Sequence, residues 1–128
     1  MADALFDTTV FINYFNGDPA ARDLLHPVLA GATTAAVSAV SWFEIWLGLR
    51  DHEEQMDFQG ILGACEQAPL TNDVACLAAE WLRGISPRRA EALFRDALIG
   101  ANAAERGEPV VTRNTTDFNR FGVNVRSY

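Results

Sequence analysis

Four acidic residues stand out by the company they keep. Asp7 interrupts an apolar run between Phe6 and Val10, Glu44 sits among Trp42, Phe43, Ile45 and Trp46, Asp96 shares a helical face with Leu93, Ile99 and Gly100, and Asp117 follows the polar stretch Arg113-Asn114-Thr115-Thr116. A carboxylate in apolar surroundings must find a partner, because burying an uncompensated charge is costly. Carboxylates brought together repel one another, and a divalent cation removes that conflict. Oxygen donors without His or Cys nearby suit a hard ion, Mg²⁺ with Mn²⁺ as a substitute, which keeps several waters and bridges to phosphate. Such a site suits hydrolysis of a phosphodiester, in which the ion orients water, lowers its pKa and stabilises the leaving oxygen.

Each acid also has an ordinary structural reading. Asp7, with Thr8 and Thr9, can cap the helix that follows. Ser41 and Glu44, three apart, form the pattern of a capping box. Asp96 can belong to a core ion pair, though not with Arg95, since adjacent residues on a helix diverge. Asp117 can close an Asx turn. Taken singly, the residues leave both readings open.

The order of elements around them favours a joint reading. Residues 4–6 read as a short buried strand, followed by a helix over 10–15. Asp18-Pro19 opens a helix through about Leu25 that Pro27 kinks or ends, with His26 a surface or kink residue. A second strand over 33–40 leads to a helix starting at Ser41, apolar almost all round and so expected to be buried. Residues 51–68 make an amphipathic helix with Met56, Ile61, Leu62 and Cys65 inward. Ala68-Pro69-Leu70 is a candidate third strand, and Thr71 or Asn72 caps a helix to about Arg83. A long helix over 88–107 closes on Gly107. Residues 109–112 form a strand, 113–121 a polar loop with a short turn, and 123–125 a last strand. Strands alternating with helices predict one α/β domain over residues 1–128 around a parallel sheet of about 4–5 strands. Asp7, Glu44 and Asp117 then each follow a strand, and such folds bind ligands beyond the carboxyl ends of their strands.

With 128 residues, 49% of them apolar, the chain can bury a core without disulfides or structural metals. No apolar run reaches the roughly 20 residues of a membrane helix, and the N-terminal residues, without a basic segment followed by an apolar one, lead to the expectation of no secretory leader. A cytoplasmic protein with reduced Cys65 and Cys76 is expected. The net charge of -7 argues against a nucleic-acid partner until it is divided along the chain. Residues 1–82 hold two Arg against twelve acids, residues 83–128 hold eight Arg against five, and Lys is absent. The Arg fork matches phosphate, so a clustered Arg surface on an acidic chain can bind RNA or an acidic peptide, with Arg113 and Arg120 the candidates for phosphate contacts. The absence of Lys also argues against haloacid-dehalogenase-like phosphatases and phosphate-accepting receiver domains, both of which rely on a Lys near the site.

Asp7-Thr8, Ser38-Ala39-Val40-Ser41-Trp42-Phe43-Glu44, Asp96-Ala97-Leu98-Ile99-Gly100-Ala101-Asn102-Ala103 and Thr112-Arg113-Asn114-Thr115-Thr116-Asp117-Phe118 come in that order across nearly the whole chain. Together they resemble the four motifs of PIN-domain ribonucleases, specifically the VapC-like toxins of type II toxin–antitoxin pairs. The resemblance implies a PIN-like three-layer α/β/α fold and a Mg²⁺-dependent endoribonuclease. It further implies a homodimer, inhibited by a VapB-like antitoxin whose tail occupies the acidic cleft. Asp7 and Asp96 resemble the principal metal ligands, Glu44 and Asp117 the supporting acids, and Thr8, Thr112 and Asn114 polar positioning residues. Thr9 departs from the Asn that many relatives carry, and Asn114 stands where some carry the fourth acid. The competing class is a catalytically inactive module of the same fold that grips an Arg-bearing partner peptide in an acidic cleft.

Overall fold

Two-residue alternation along the strands sorts the core into two layers. In the computed structural model, which describes residues 2–128, the chain runs β1 (Ala4–Phe6), α1 (Thr8–Phe15), α2 (Pro19–Leu29), β2 (Ala35–Ser38), α3 (Ala39–Leu47) and α4 (His52–Gly63). It continues as β3 (Glu66–Ala68), α5 (Asn72–Leu82), α6 (Pro87–Arg106), β4 (Val110–Val111), α7 (Thr115–Arg120) and β5 (Val125–Arg126). Ala4 and Phe6 of β1 pack with Val37 and Val111 against α1, α2 and α4, through Val10, Phe11, Leu25, Phe58 and Leu62. Leu5 points the other way, with Ala36 and Val110, onto Ile99 and Ala103 of α6 and Phe118 of α7. The strands form one parallel sheet in the order β3-β2-β1-β4-β5. The three-layer α/β/α fold is therefore as the sequence implies, with the five strands at the upper end of the expected number.

Several boundaries differ from the expected ones, each for a local reason. α2 runs through Pro27 to Leu29 rather than ending near Leu25. The stripe Ala21, Leu25, Val28 stays buried, and the carbonyl that proline frees, on exposed Asp23, can be hydrated. β2 stops at Ser38, whose hydroxyl accepts from the Val40 N–H at 3.1 Å and so starts α3 earlier than Ser41 would. The Ser41–Glu44 capping box is thus not formed. Nor is α3 buried all round, since Phe43 is 61% and Leu47 72% exposed. α4 ends at Gly63, which frees Glu66–Ala68 for β3 two residues before the expected strand. Met56 of α4 is exposed, while Phe58 joins Leu62 and Cys65 inside. The polar run after β4 winds into α7, and β5 falls at Val125–Arg126 because Val123 is drawn into the core instead.

On the α6 side the chain follows the sequence closely. Thr71 caps α5, and Gly107 closes α6 in the left-handed region at φ 69°, which glycine adopts freely. Small residues let the helices approach closely: a Cβ placed on Gly100 would stand 3.3 Å from Val123 and 3.4 Å from Trp81. Among the described residues no helix is long and apolar enough to cross a membrane.

Candidate active site

Asp7 is the first residue beyond β1 and is only 4% exposed. Its N–H donates to the Val111 carbonyl at 3.1 Å, which carries the sheet ladder one step past the strand and sets Asp7 beside Thr112. The carboxylate accepts from the Thr8 N–H at 2.8 Å, the Thr9 hydroxyl at 3.0 Å and the Thr112 hydroxyl at 2.8 Å. Asp7 therefore does cap α1, as its ordinary reading requires. Burial pushes its carboxyl above the usual range, opposed by the hydrogen bonds from Thr112, Thr9 and Thr8 in that order. Thr112, fully buried, accepts from the Asn114 N–H at 2.9 Å while it donates to Asp7, so one hydroxyl ties the end of β1 to the loop entering α7.

Glu44 arrives from α3. Its Oε1 accepts from the Thr8 hydroxyl at 2.8 Å. That hydroxyl has one hydrogen, so its 2.8 Å contact with Ser41 must have Ser41 as donor. Oε2 stands 3.7 Å from the Arg95 guanidinium. Asp96 projects from α6, and Asp117 from the first turn of α7. Between them Asn114 donates both amide hydrogens of one Nδ2, to Asp96 Oδ2 at 3.1 Å and to Asp117 Oδ2 at 2.9 Å.

The four acids, drawn from β1, α3, α6 and α7, share one electrostatic field. The Asp96 carboxyl is pushed up to about 6, first by burial and then by the charges of Asp7, Asp117 and Glu44, with Arg95 pulling the other way. Charge acts over longer distances than ligation does. Among the described residues no three Asp, Glu, His or Cys side chains stand close enough to cage an ion by themselves. These observations are compatible for Mg²⁺, which one or two carboxylates hold while its other positions remain water. The donor set is all hard oxygen, and Asp96 carries an unbalanced like-charge burden that a cation would relieve. The residues fit such an ion.

Thr8, Thr112 and Asn114 all touch the acids. Arg113 points elsewhere: it pairs with Asp18, donates from Nε to the Tyr128 carbonyl at 3.3 Å and lies 4.4 Å from the Tyr128 ring centroid. Arg120 is exposed on α7. His26 lies edge-on to Tyr14, and the two cysteines are free, Cys65 buried and Cys76 exposed. Sequence reasoning missed Ser41 and Arg95. Ser41 was hidden by its apparent capping role, while Arg95 diverges from Asp96 as expected and reaches α3 instead. A depression of about 220 Å³ between α1, α3 and α4 includes Glu44, and an apolar one of about 240 Å³ between α3 and α6 includes Arg95.

The sequence profile of the PIN domain matches residues 4–124. Among solved structures, a toxin–antitoxin complex from Klebsiella pneumoniae is 26% identical over 90% of this chain and 89% of its own, with a TM-score of 0.72. The DNA-bound VapBC from Salmonella typhimurium is 18% identical, covering 99% and 98%, with a TM-score of 0.78. VapBC2 from Rickettsia felis, bound to a promoter DNA fragment, is 17% identical, covering 98% of each chain, with a TM-score of 0.72. These last two likenesses establish the fold alone. No curated protein matches the chain.

Proposed function

Because the chain belongs to the PIN domain family, we propose that it is a Mg²⁺-dependent endoribonuclease, the VapC-like toxin of a type II toxin–antitoxin pair. The observation that carries this reading is the convergence on Asp96: burial first, and then the charges of Asp7, Asp117 and Glu44 from distant parts of the chain, push its carboxyl up to about 6. Likeness over nine-tenths of the chain to the Klebsiella toxin–antitoxin complex supports the toxin role and a VapB-like antitoxin as partner.

In this reading Asp7 and Asp96 hold the ion, with Glu44 and Asp117 beside it, directly or through water. The ion, when bound, supplies a Lewis acid and a water of lowered pKa for attack on phosphorus. The chain's own residues prepare the place. Thr9 and Thr112 fix the rotamer of Asp7, Thr8 and Ser41 orient Glu44, and Asn114 keeps Asp96 and Asp117 facing each other. The substrate class is single-stranded or looped RNA, whose splayed nucleotides can enter a cleft. Arg120, exposed on α7, would meet an RNA phosphate; Arg113 would first have to leave Asp18. The antitoxin tail would cover the acids, and a homodimer would cover exposed Phe43, Leu47 and Phe94. The pair would act in the cytoplasm.

The test is cleavage of single-stranded RNA by the purified chain with Mg²⁺. Cleavage is expected to vanish with EDTA and in Asp7→Ala and Asp96→Asn, and undiminished activity in both variants would reject the reading. One observation favours the alternative of a binding module: Glu44 already engages a guanidinium, as a partner's Arg would. That alternative predicts tight capture of an Arg-bearing peptide with no cleavage at any Mg²⁺ concentration.

A further inference from the structure

Among the Arg residues, Arg95 alone has an ion pair with one of the four acids. Its neighbour Asp96 is one of those acids, and the Arg95 guanidinium lies 5.7 Å from the Phe94 ring centroid and stops 3.7 Å from Glu44 on α3. The contact is loose. The Arg95 side chain is 48% exposed, and the separation is well beyond the roughly 2.8 Å of a tight charge-assisted hydrogen bond. By contrast, Arg106 is locked between Glu108 and Glu66, and Arg113 between Asp18 and Tyr128. Those two Arg residues each have two polar partners, while Arg95 has Glu44 alone beside the Phe94 ring.

Charge explains why a mobile cation would be useful there. An RNA phosphate approaching four carboxylates meets net repulsion that one divalent ion only halves. A guanidinium on a half-exposed stem at the rim adds a further positive charge and a planar fork matched to phosphate oxygens. We propose that Arg95 is a substrate-binding residue that rests on Glu44 while the site is empty and transfers its guanidinium to the RNA phosphate next to the acid cluster. The inference rests on the nuclease reading above. It also makes Arg95 and the cation competitors for Glu44, so losing Arg95 acts on the two ligands in opposite directions.

The experiment compares wild type, Arg95→Ala and Arg95→Lys in two assays. In the first, Mg²⁺ is titrated without RNA and followed by thermal shift. Arg95→Ala is expected to bind Mg²⁺ about two- to fivefold more tightly, the scale of one exposed ion pair, and Arg95→Lys to stay near wild type. In the second, binding of a single-stranded RNA oligonucleotide is measured against salt without divalent ions, in an Asp7→Asn background that cannot cleave it. Arg95→Ala is expected to weaken binding and to flatten the slope of log Kd on log salt by about 0.7, with Arg95→Lys keeping the slope but not the full affinity. Weaker binding of both ligands would mean that Arg95 merely supports the fold, and unchanged binding of both would mean that it does nothing at the site; either overturns the proposal. If wild type cleaves RNA while these variants behave so, the nuclease reading stands and only the role of Arg95 falls. If wild type neither binds nor cleaves RNA, both fall.

Discussion

Asp96 is where the energetic cost of gathering the acids concentrates. Its carboxyl ionises near 6 in the folded chain against 3.8 as the reference value, so the unfolded chain releases this proton first as pH rises. Native stability from this group is therefore intact below about pH 4, erodes through the window up to about pH 6 and is at its lowest above it. Asp96→Asn removes the charge but keeps an oxygen that the Asn114 amide can meet. The variant should melt higher than wild type at pH 7 without metal, and the difference should disappear near pH 4; thermal melts across that range check it. Added Mg²⁺ should raise the wild-type melting temperature more than that of the variant. At this scale the acids themselves were legible in the sequence, because a carboxylate set among apolar residues is conspicuous. Their partners were not: the links from Thr112 to Asp7 and from Arg95 to Glu44 join residues 105 and 51 positions apart, and only folding brings them together.

Elements were legible where one signal dominated and misplaced where two competed. β1 and α5 fall where the sequence puts them, the first as an apolar run ending in Asp7, the second capped by Thr71. α3 begins at Ala39 because Ser38 outcompetes Ser41 as its cap, and this shift turns Glu44 from a capping residue into a site residue. Ser38 has a second task. Its hydroxyl donates to Asn102 Oδ1 at 2.6 Å, and Asn102 Nδ2 donates to the Pro69 carbonyl at 3.0 Å, fastening β2, α6 and the β3–α5 connection together. Asn102 is 2% exposed, and Asn102→Ala leaves the hydrogen of the buried Ser38 hydroxyl without an acceptor, while the Pro69 carbonyl keeps the Thr71 N–H, so the change should cost about 1–3 kcal/mol. Urea unfolding measures that loss. Since Asn102 touches none of the acids, the melting-temperature gain on adding Mg²⁺ should persist in the variant.

For the whole molecule, parallel strands with two-sided cores place the carboxyl end of every strand on one edge, and this topology brings the charges of four acids from distant segments to bear on one another. The sequence conveyed that topology through its alternation of strands and helices. It did not convey which apolar face would stay uncovered, because apolar content fixes how much surface is buried and not by which neighbour. Phe43, Leu47, Leu70 and Phe94 remain 61%, 72%, 48% and 43% exposed, an apolar surface that a second copy would cover in the proposed homodimer. Light scattering should give wild type twice the 14.0 kDa chain mass, and Phe43→Glu with Leu47→Glu should return it to a monomer; a wild type that is monomeric at every concentration would count against the dimer. Metal-dependent cleavage requires the acids to act as one cation site, and Mn²⁺ binding followed by electron paramagnetic resonance tests this most directly. Wild type should take up Mn²⁺ saturably, with Mg²⁺ competing, and both Asp7→Asn and Asp96→Asn should lose that uptake; equal binding by wild type and the two variants would contradict it.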